Sequence, residues 1–238
     1  MIKVQNLSKK YGPHTALENV EFTIPDGKVV GFLGPNGAGK STTMKILTGL
    51  MKPTTGSVLL DGHDISENPL EVQKRIGYLP EIPPLYDDMT VREYLKFVCE
   101  LKQVEKSKIK EYVEDTLAKV KLGDVAHRLI AKLSKGYRQR VGLAQALVSQ
   151  PKFVILDEPT SGFDPQQVSE FKSLIKSLAG KCTVFLSSHI LADVESICSE
   201  IIVLNKGHVI AQGSYTDIQK KWKQRHQVRV QVDRPAPE

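Results

Sequence analysis

The sequence predicts an α/β fold with a mainly parallel sheet, and two stretches of the chain carry this prediction. From about residue 152 onward, strand patterns alternate with helical ones, at 153–156, 166–179, 183–187 and 190–198. Strands that alternate with helices in this way pair in parallel through crossover connections. Earlier, the apolar run 29–33 is typical of a buried strand, and helical spacing follows it over 41–50. We expect this strand and helix to belong to the same α/β core.

The first 60 residues are predicted to form an antiparallel β edge on this core. Apolar residues alternate with polar ones at 2–4 and again at 20–24, which is the period of a strand with one buried face. Residues 58–62 read as a strand that ends in an Asp-Gly turn. Near the other end, residues 201–204 and 208–211 are predicted to pair as a hairpin through an Asn-Lys-Gly connection.

The middle of the chain, at about residues 84–145, is predicted to be a helical subdomain inserted into the core. Thr90 and Glu93 match a capping box at the start of one helix. Ser107 is predicted to cap a second helix. One face of that helix carries the apolar residues Ile109, Val113, Leu117 and Val120.

Residues 214–238 are predicted to extend a main domain that spans residues 1–213. The extension contains a basic helix around Trp222 and a strand pattern over 228–232. Because a lone strand needs a partner edge, we interpret it either as the start of a truncated element or as an added edge strand. The clearest basic cluster lies here, at Lys220, Lys221, Lys223, Arg225 and Arg229. A solvated helix face is the favoured interpretation, with an anionic membrane surface or nucleic acid as alternatives.

Composition narrows the class of protein. The 238 residues are 40% hydrophobic and 25% charged, which is typical of a soluble globular chain. The net charge of +6 could suggest a nucleic-acid partner, but the basic residues are spread along the chain. No run approaches 18 apolar residues, and the N-terminus lacks a signal peptide's apolar core, so we expect neither a membrane span nor secretion. Cys99, Cys182 and Cys198 lack metal-ligand spacing and are expected to be reduced core thiols of a cytosolic protein.

A complete phosphate-binding loop of the form G-x-x-x-x-G-K-[ST] occupies residues 34–41. Its glycines let the backbone turn tightly and aim N–H groups at phosphate oxygens. Lys40 is expected to reach the β- and γ-phosphates and to act in catalysis, and the Ser41 hydroxyl is expected to ligate Mg²⁺. The sequence therefore predicts a P-loop NTPase core that binds a nucleoside triphosphate and Mg²⁺. The predicted nucleotide-binding residues of this segment are Gly34, Pro35, Asn36, Gly37, Ala38, Gly39, Lys40, Ser41 and Thr42.

Two adjacent carboxylates, Asp157 and Glu158, follow the apolar run 153–156. The carboxyl end of a parallel strand is where such a sheet presents ligand-binding groups. Asp157 is predicted to hold Mg²⁺, directly or through water. Glu158 is predicted to orient or deprotonate the attacking water.

Ser134 and Gly136 precede a helical pattern that contains Val141, Ala144 and Leu147. Ser134 is a natural N-cap for that helix. A helix N-terminus with a hydroxyl and a close-approach glycine can also bind an anion. The residues alone leave both interpretations open.

The order of these motifs resembles the ATP-binding subunit of ATP-binding-cassette (ABC) transporters. It runs from the phosphate loop through Leu133–Tyr137, Asp157-Glu158 and Ser161–Asp164 to Ser188-His189, and the resemblance covers nearly all of residues 1–213. The resemblance implies the following roles. Tyr11 stacks on adenine, Ser134 and Gly136 contact the γ-phosphate held by an opposite subunit, Asp164 lies in a loop that crosses between subunits, and His189 contacts the γ-phosphate as a catalytic switch.

Three positions depart from the family pattern. Lys135 and Tyr137 stand where the family usually has Gly and Gln, and Glu81 stands where it usually has a Gln that touches Mg²⁺ and the membrane partner. We expect Glu81 still to be a metal ligand, since a carboxylate binds Mg²⁺. These variants resemble the exporter branch that includes gliding-motility and drug-efflux ATPases.

The resemblance also implies partners and a location. We expect a second nucleotide-binding subunit, identical or different, and a separate integral membrane permease that docks near Glu81, with no nucleic acid involved. The chain would then lie peripherally on the cytoplasmic face of the cell membrane. The sequence does not name the cargo.

Two other functions compete with this one. The first is a soluble ABC-type ATPase acting on nucleic acid or ribosomes, but such relatives usually carry two cassettes or a long coiled coil, and this chain has one phosphate loop and no sustained heptads. The second is a nucleotide-binding regulator that hydrolyses poorly, which the presence of Glu158 and His189 disfavours.

Overall fold

A computed structural model describes residues 1–225 of the chain, and these residues form two sheets with helices around them. The strands are β1 (Ile2–Tyr11), β2 (His14–Ile24), β3 (Val29–Leu33), β4 (Thr55–Leu60), β5 (His63–Asp64), β6 (Ile76–Leu79), β7 (Phe153–Leu156), β8 (Thr183–Ser188), β9 (Glu200–Asn205) and β10 (His208–Gly213). The helices are α1 (Lys40–Leu47), α2 (Pro69–Arg75), α3 (Val91–Leu101), α4 (Lys106–Lys119), α5 (Lys135–Leu147), α6 (Pro165–Leu178), α7 (Leu191–Ile197) and α8 (Tyr215–Arg225). Two short 3-10 helices occupy Gly123–Val125 and Ile130–Lys132.

The central sheet has the strand order β10-β9-β3-β8-β7-β6. Every neighbouring pair in it is parallel except β9 and β10, which form the predicted antiparallel hairpin. The second sheet, in the order β2-β1-β4-β5, is antiparallel throughout. The predicted α/β fold with a mainly parallel sheet and an antiparallel N-terminal edge is confirmed.

Burial on both faces explains why the central strands are almost continuously apolar. Along β7, Phe153 and Ile155 pack in the core toward the antiparallel sheet, whereas Val154 and Leu156 pack in the core that includes the helical segment. Three aromatic rings join the two sheets, with centroids 5.1–5.7 Å apart: Phe22, Phe32 and Phe185. This aromatic cluster packs the antiparallel sheet against the central sheet.

In the helical segment, the structure confirms the predicted cap of α3 but not the predicted cap of α4. The Thr90 side chain accepts a hydrogen bond from the Glu93 N–H group, and the Glu93 carboxylate accepts one from the Thr90 N–H group, as a capping box requires. The prediction that Ser107 caps α4 is wrong, because Glu105 is the N-cap and Ser107 lies inside the first turn. The Ser107 hydroxyl instead donates to the Glu105 carboxylate.

The C-terminal part is described as far as Arg225. Helix α8 confirms the predicted helix around Trp222, and the side chain of Lys220 is exposed on it. The predicted strand over 228–232 lies outside the described residues, as does Arg229. Within residues 1–225, no helix is both long and apolar enough to cross a bilayer.

The three cysteines are free thiols, with Cys99 and Cys182 buried and Cys198 half-buried. Burial raises the pKa of the Cys99 thiol to about 11 and that of Cys198 to about 12. Little reactive thiolate forms at neutral pH under those conditions. The burial of Cys99 and Cys182 agrees with the prediction of core thiols.

Candidate nucleotide-binding and catalytic site

The phosphate loop joins the end of β3 to the start of α1, as the sequence predicts. Gly37 and Gly39 adopt the left-handed backbone region, with φ of 76° and 108°. At Gly39 the approach is also close, since a Cβ atom there would lie 2.8 Å from the carbonyl oxygen of Ala16. The loop closes on itself through a 3.2 Å hydrogen bond from the Ala38 N–H group to the Pro35 carbonyl.

Helix α1 begins at this loop without a side-chain cap from any described residue. Its N-cap is Gly39, which has no side chain to donate to or accept from the helix end. The first-turn N–H groups therefore face the same concavity as the loop and remain available to an anion.

Lys40 is the cation of this loop, and it is only 5% exposed. Its ammonium donates to the carbonyl oxygens of Gly34 and Pro35, at 2.7 and 3.2 Å. The same nitrogen lies 3.2 Å from the Oε1 atom of Glu158. That contact lacks hydrogen-bond geometry, so Glu158 Oε1 is a buried oxygen without a hydrogen-bond partner among the described residues. It is a charge contact, and it joins two side chains that the sequence places 118 positions apart.

The carboxylates of Asp157 and Glu158 come directly after β7, which lies beside β8 in the central sheet. Asp157 is 4% exposed. Glu158 has a φ of 45°, in the left-handed region where a residue other than glycine costs roughly 1–3 kcal/mol. Ser187, on β8, contacts both residues: its hydroxyl donates to Asp157 Oδ1 at 2.7 Å and accepts from the Glu158 N–H group at 2.8 Å.

His189 follows β8 and reaches the same carboxylate. Its Nδ1 atom lies 2.9 Å from Oε2 of Glu158. A backbone contact also joins β8 to the phosphate loop, since the Gly34 N–H group donates to the Ser188 carbonyl at 3.3 Å. Glu158 therefore lies between Lys40 on one side and His189 on the other.

A cavity of about 410 Å³ contains most of the residues predicted from the sequence. Those that line it are Tyr11, Pro35, Asn36, Gly37, Gly39, Lys40, Ser41, Thr42, Glu81, Glu158 and His189. Gly34, Ala38 and Asp157 are buried and do not line it. Tyr11, at the rim, is 44% exposed and has its hydroxyl 3.0 Å from Met51 Sδ.

Sequence reasoning missed four residues of this site: His14, Ala16, Ser161 and Ser187. His14 and Ala16 lie on β2 and meet the loop only because the N-terminal sheet packs beside it. Ser161 could have been predicted, because it begins the Ser161–Asp164 segment on which the family resemblance partly rests. Ser187 has only one signal, its position two residues before His189.

Three further predicted residues also do not line the cavity: Ser134, Gly136 and Asp164. Ser134 caps α5 by accepting from the Tyr137 N–H group at 3.4 Å, and Asp164 caps α6 by accepting from the Gln167 N–H group at 2.8 Å. A Cβ atom at Gly136 would lie 2.9 Å from Gln167 Oε1, so the two capped helix ends are neighbours. They form a second polar surface on the same chain.

The residues of the cavity fit a nucleotide phosphate chain and its metal ion. The loop has a concave backbone, and its buried ammonium and free helix N–H groups can donate hydrogen bonds to phosphate oxygens. Residues 1–225 contain no cluster of three or more His, Cys, Asp or Glu side chains with metal-ligand geometry. Mg²⁺ suits such a site, because it commonly takes one or two protein carboxylates and completes its shell with phosphate and water.

Tyr78, on β6, is half-buried near Asp157. Burial, followed by the nearby Asp157 carboxylate, raises the pKa of the Tyr78 hydroxyl to about 12. The Tyr78 phenol therefore stays protonated near neutral pH.

Comparisons with known proteins agree with this site. The family model described as "ABC transporter" matches residues 17–161. The lantibiotic transport ATP-binding protein SrtF of Streptococcus pyogenes is 42% identical over 216 residues, which cover 90% of this chain and 91% of that protein. The bacitracin transport ATP-binding protein BcrA of Bacillus licheniformis is 35% identical over 223 residues, covering 93% and 72%.

Solved structures give the same result. One described as the ATP-binding subunit of an ABC transporter has a TM-score of 0.87 and 31% identity, and the match covers 94% of this chain and 93% of that one. A dimeric structure of the ATP-binding cassette MJ0796, bound to ADP and Pi, has a TM-score of 0.81 and 27% identity, covering 90% and 98%. This chain belongs to the ABC transporter family, in which it is an ATP-binding and ATP-hydrolysing subunit.

Proposed function

We propose that this subunit binds ATP with Mg²⁺ in the phosphate-loop cavity and that hydrolysis there powers export through a separate integral membrane permease. The convergence of Lys40, Glu158 and His189 within 3.2 Å contacts is the observation that carries this proposal. Burial of a charged lysine beside a carboxylate is costly, and a loop with only a structural role would not require it in the lining of a cavity of about 410 Å³.

The phosphate loop would hold the phosphates through its backbone and through Lys40. Lys40 now donates to two carbonyl oxygens of its own loop, and a phosphate would replace these neutral acceptors with charged ones. Tyr11 at the rim offers an exposed ring on which adenine could stack. The proposed nucleotide-binding residues are Tyr11, Gly34, Pro35, Asn36, Gly37, Ala38, Gly39, Lys40, Ser41 and Thr42.

Ser41, Asp157 and Glu81 are the proposed protein ligands of Mg²⁺. All three have oxygen ligands, which this cation prefers, and Ser41 and Glu81 line the cavity while Asp157 lies at its back. When bound, the metal ion would neutralise charge on the phosphates during transfer.

Glu158 is the proposed general base, and His189 and Lys40 complete the catalytic group. Glu158 Oε1 lacks a hydrogen-bond donor among the described residues and has a charge contact with Lys40. Movement of Lys40 toward a bound phosphate would leave this oxygen to accept the proton of an attacking water. His189 holds the other oxygen, Oε2, and thereby fixes the direction in which the carboxylate points.

We further propose that two nucleotide-binding subunits, identical or different, act as a pair. Ser134, Gly136 and Asp164 form a polar surface away from the chain's own cavity, which suits them to contact nucleotide held by the other subunit. Bound ATP would then join the pair, and its hydrolysis would release it.

The permease would dock around Glu81 and the helical segment at about 84–145. Ile82 is 84% exposed there and Tyr86 is 49% exposed, so the surface beside Glu81 is apolar enough to bind a partner. Docking would place the chain peripherally on the cytoplasmic face of the cell membrane, with residues 1–213 as the nucleotide-binding domain. Export, rather than import, is proposed from the resemblance to exporter ATPases and from the transport proteins SrtF and BcrA.

A pull-down from detergent-solubilised membranes tests this proposal. The bait is the tagged chain with Glu158→Gln, used with and without ATP and Mg²⁺, and the tagged chain with Lys40→Ala is the control for nucleotide dependence. Recovery of a polytopic membrane protein supports a transporter subunit and names the permease. Recovery of ribosomes or nucleic acid alone would overturn the proposal in favour of the soluble ATPase.

A further inference from the structure

Ser187 lies at the centre of the two-carboxylate group, yet its side chain is fully buried and does not line the cavity. Its hydroxyl proton is donated to Asp157 Oδ1 at 2.7 Å, and its oxygen accepts the Glu158 N–H group at 2.8 Å. A hydroxyl has one proton to donate. The one hydroxyl therefore donates one hydrogen bond and accepts another, and these two bonds join the two residues that directly follow β7 to a single atom on β8.

The contact to Glu158 holds a backbone that would otherwise relax. Glu158 has a φ of 45°, which a residue other than glycine adopts only when its surroundings impose it. The bond from its N–H group to Ser187 is one such constraint. Without it, the peptide could turn, and the carboxylate would move away from Lys40 and His189.

The contact to Asp157 fixes which oxygen faces the cavity. Within residues 1–225, no side chain other than Ser187 donates to this carboxylate. With Oδ1 engaged, the second oxygen is the one left for a cation. Partners that hold a metal-ligating carboxylate in this way typically affect metal affinity or activity by about 10- to 100-fold.

We propose that Ser187 is a positioning residue, which sets the Asp157 carboxylate for Mg²⁺ and the Glu158 carboxylate for proton abstraction through one hydroxyl. This inference rests on the proposed roles of Asp157 and Glu158. Ser188, the next residue, makes neither contact, because its hydroxyl meets the backbone of Ile190 instead. The positioning role is therefore specific to Ser187 and is not shared by the adjacent Ser188.

Three substitutions in the full chain separate the hydroxyl from its volume. Ser187→Ala removes the hydroxyl, while Ser187→Thr and Ser187→Val add the same bulk with and without one. Thr183→Val is the matched control, since Thr183 is buried at the other end of β8 and its hydroxyl accepts from the Gly27 N–H group at 2.9 Å. Each variant is assayed for ATPase kcat, for KM and for the Mg²⁺ concentration that gives half-maximal rate.

A second measurement does not depend on turnover. In a Glu158→Gln background, Mg²⁺ is titrated into protein that holds a fluorescent ATP analogue, with and without Ser187→Ala. We expect Ser187→Ala to raise the Mg²⁺ concentration at half-saturation about tenfold and to lower kcat by about 10- to 100-fold, with KM for ATP little changed at saturating Mg²⁺. Ser187→Thr should recover most of both losses, and Ser187→Val should recover neither.

A merely structural role predicts a different pattern. Loss of folded protein lowers the rate but leaves the Mg²⁺ half-saturation point unchanged, and it affects Ser187→Thr and Ser187→Val alike. That outcome would overturn the inference, as would wild-type behaviour of Ser187→Ala while Glu158→Gln is inactive. If Glu158→Gln itself hydrolyses ATP normally, the proposed function fails first, and the inference fails with it.

Discussion

The Nζ atom of Lys40 lies 3.2 Å from Oε1 of Glu158, so the cation of the phosphate loop and the proposed general base share one charge contact. Both side chains are largely buried, at 6% and 12% exposed. A buried charge is tolerated only when it is paired or hydrogen-bonded. A nucleotide that draws Lys40 toward its phosphates would weaken this contact and free Glu158 for a water molecule.

Replacement of Lys40 should therefore affect ATP binding more than it affects the fold. We expect Lys40→Ala to weaken ATP binding at least about tenfold, because a hydrogen bond to a charged group contributes about 1.5–3 kcal/mol. Titration with a fluorescent ATP analogue measures the change. Lys45→Ala is the matched control, since Lys45 is exposed on the same helix. Equal affinities for the two variants would contradict a phosphate role for Lys40.

Glu158 should matter for hydrolysis and not for binding. We expect Glu158→Gln to lower kcat by about 10²- to 10⁴-fold, because a positioned base contributes that factor and an amide cannot accept the proton. The affinity for ATP should stay within a few-fold of wild type. Steady-state phosphate release measures the rate, and Glu195→Gln, an exposed substitution on α7, is the control. Undiminished turnover in Glu158→Gln would remove Glu158 from the mechanism.

The sequence predicted five of the six strands of the central sheet, all except β6, and it missed the short helix α2. Strand β7 is apolar on both faces, and the phosphate loop fixes β3 by its motif, so local pattern sufficed for both. Helix α2 went unpredicted because its seven residues bury one side chain, Val72. Ser107 was assigned to a cap that Glu105 occupies, because a local side-chain contact competed with the helix end.

The site likewise contains residues that the sequence predicted and others, such as Ser187, that it did not. Lys40, Asp157 and Glu158 were predictable because each belongs to a contiguous motif with chemical meaning. Ser187 acts on residues that precede it by about thirty positions, and the two meet only because β8 pairs with β7. No local pattern records such a meeting, so it becomes visible only when strand order and register are known.

Close packing of β6 against α5 makes Gly77 a strong test of the fold. A Cβ atom there would lie 1.8 Å from the Ala146 carbonyl oxygen, and a backbone atom cannot yield as a flexible side chain does. We expect Gly77→Ala to lower the free energy of unfolding by about 1–3 kcal/mol, as overpacking of a core does. Urea denaturation measures the loss.

Gly123→Ala supplies the comparison for that experiment, since a Cβ atom at Gly123 would meet nothing within 4 Å. Its stability should stay close to that of wild type. A Gly77→Ala protein as stable as Gly123→Ala would mean that α5 can shift away from β6 without cost.

The capping box of α3 should make stability depend on acid pH. The Thr90 N–H group, followed by the Thr90 hydroxyl, holds the pKa of the Glu93 carboxyl below its usual value. A carboxyl whose pKa is lower in the folded chain stabilises that chain above its unfolded pKa, and the benefit is lost as the pH falls through the folded pKa. We expect Glu93→Ala to lower the free energy of unfolding at neutral pH, and the deficit to shrink below about pH 4.3, the ordinary Glu pKa. Denaturation series at several pH values measure this deficit. Glu111→Ala is the control for loss of an acidic helix residue, since Glu111 is exposed on α4. A deficit that does not change with pH would show that the charge of Glu93 does not contribute to stability.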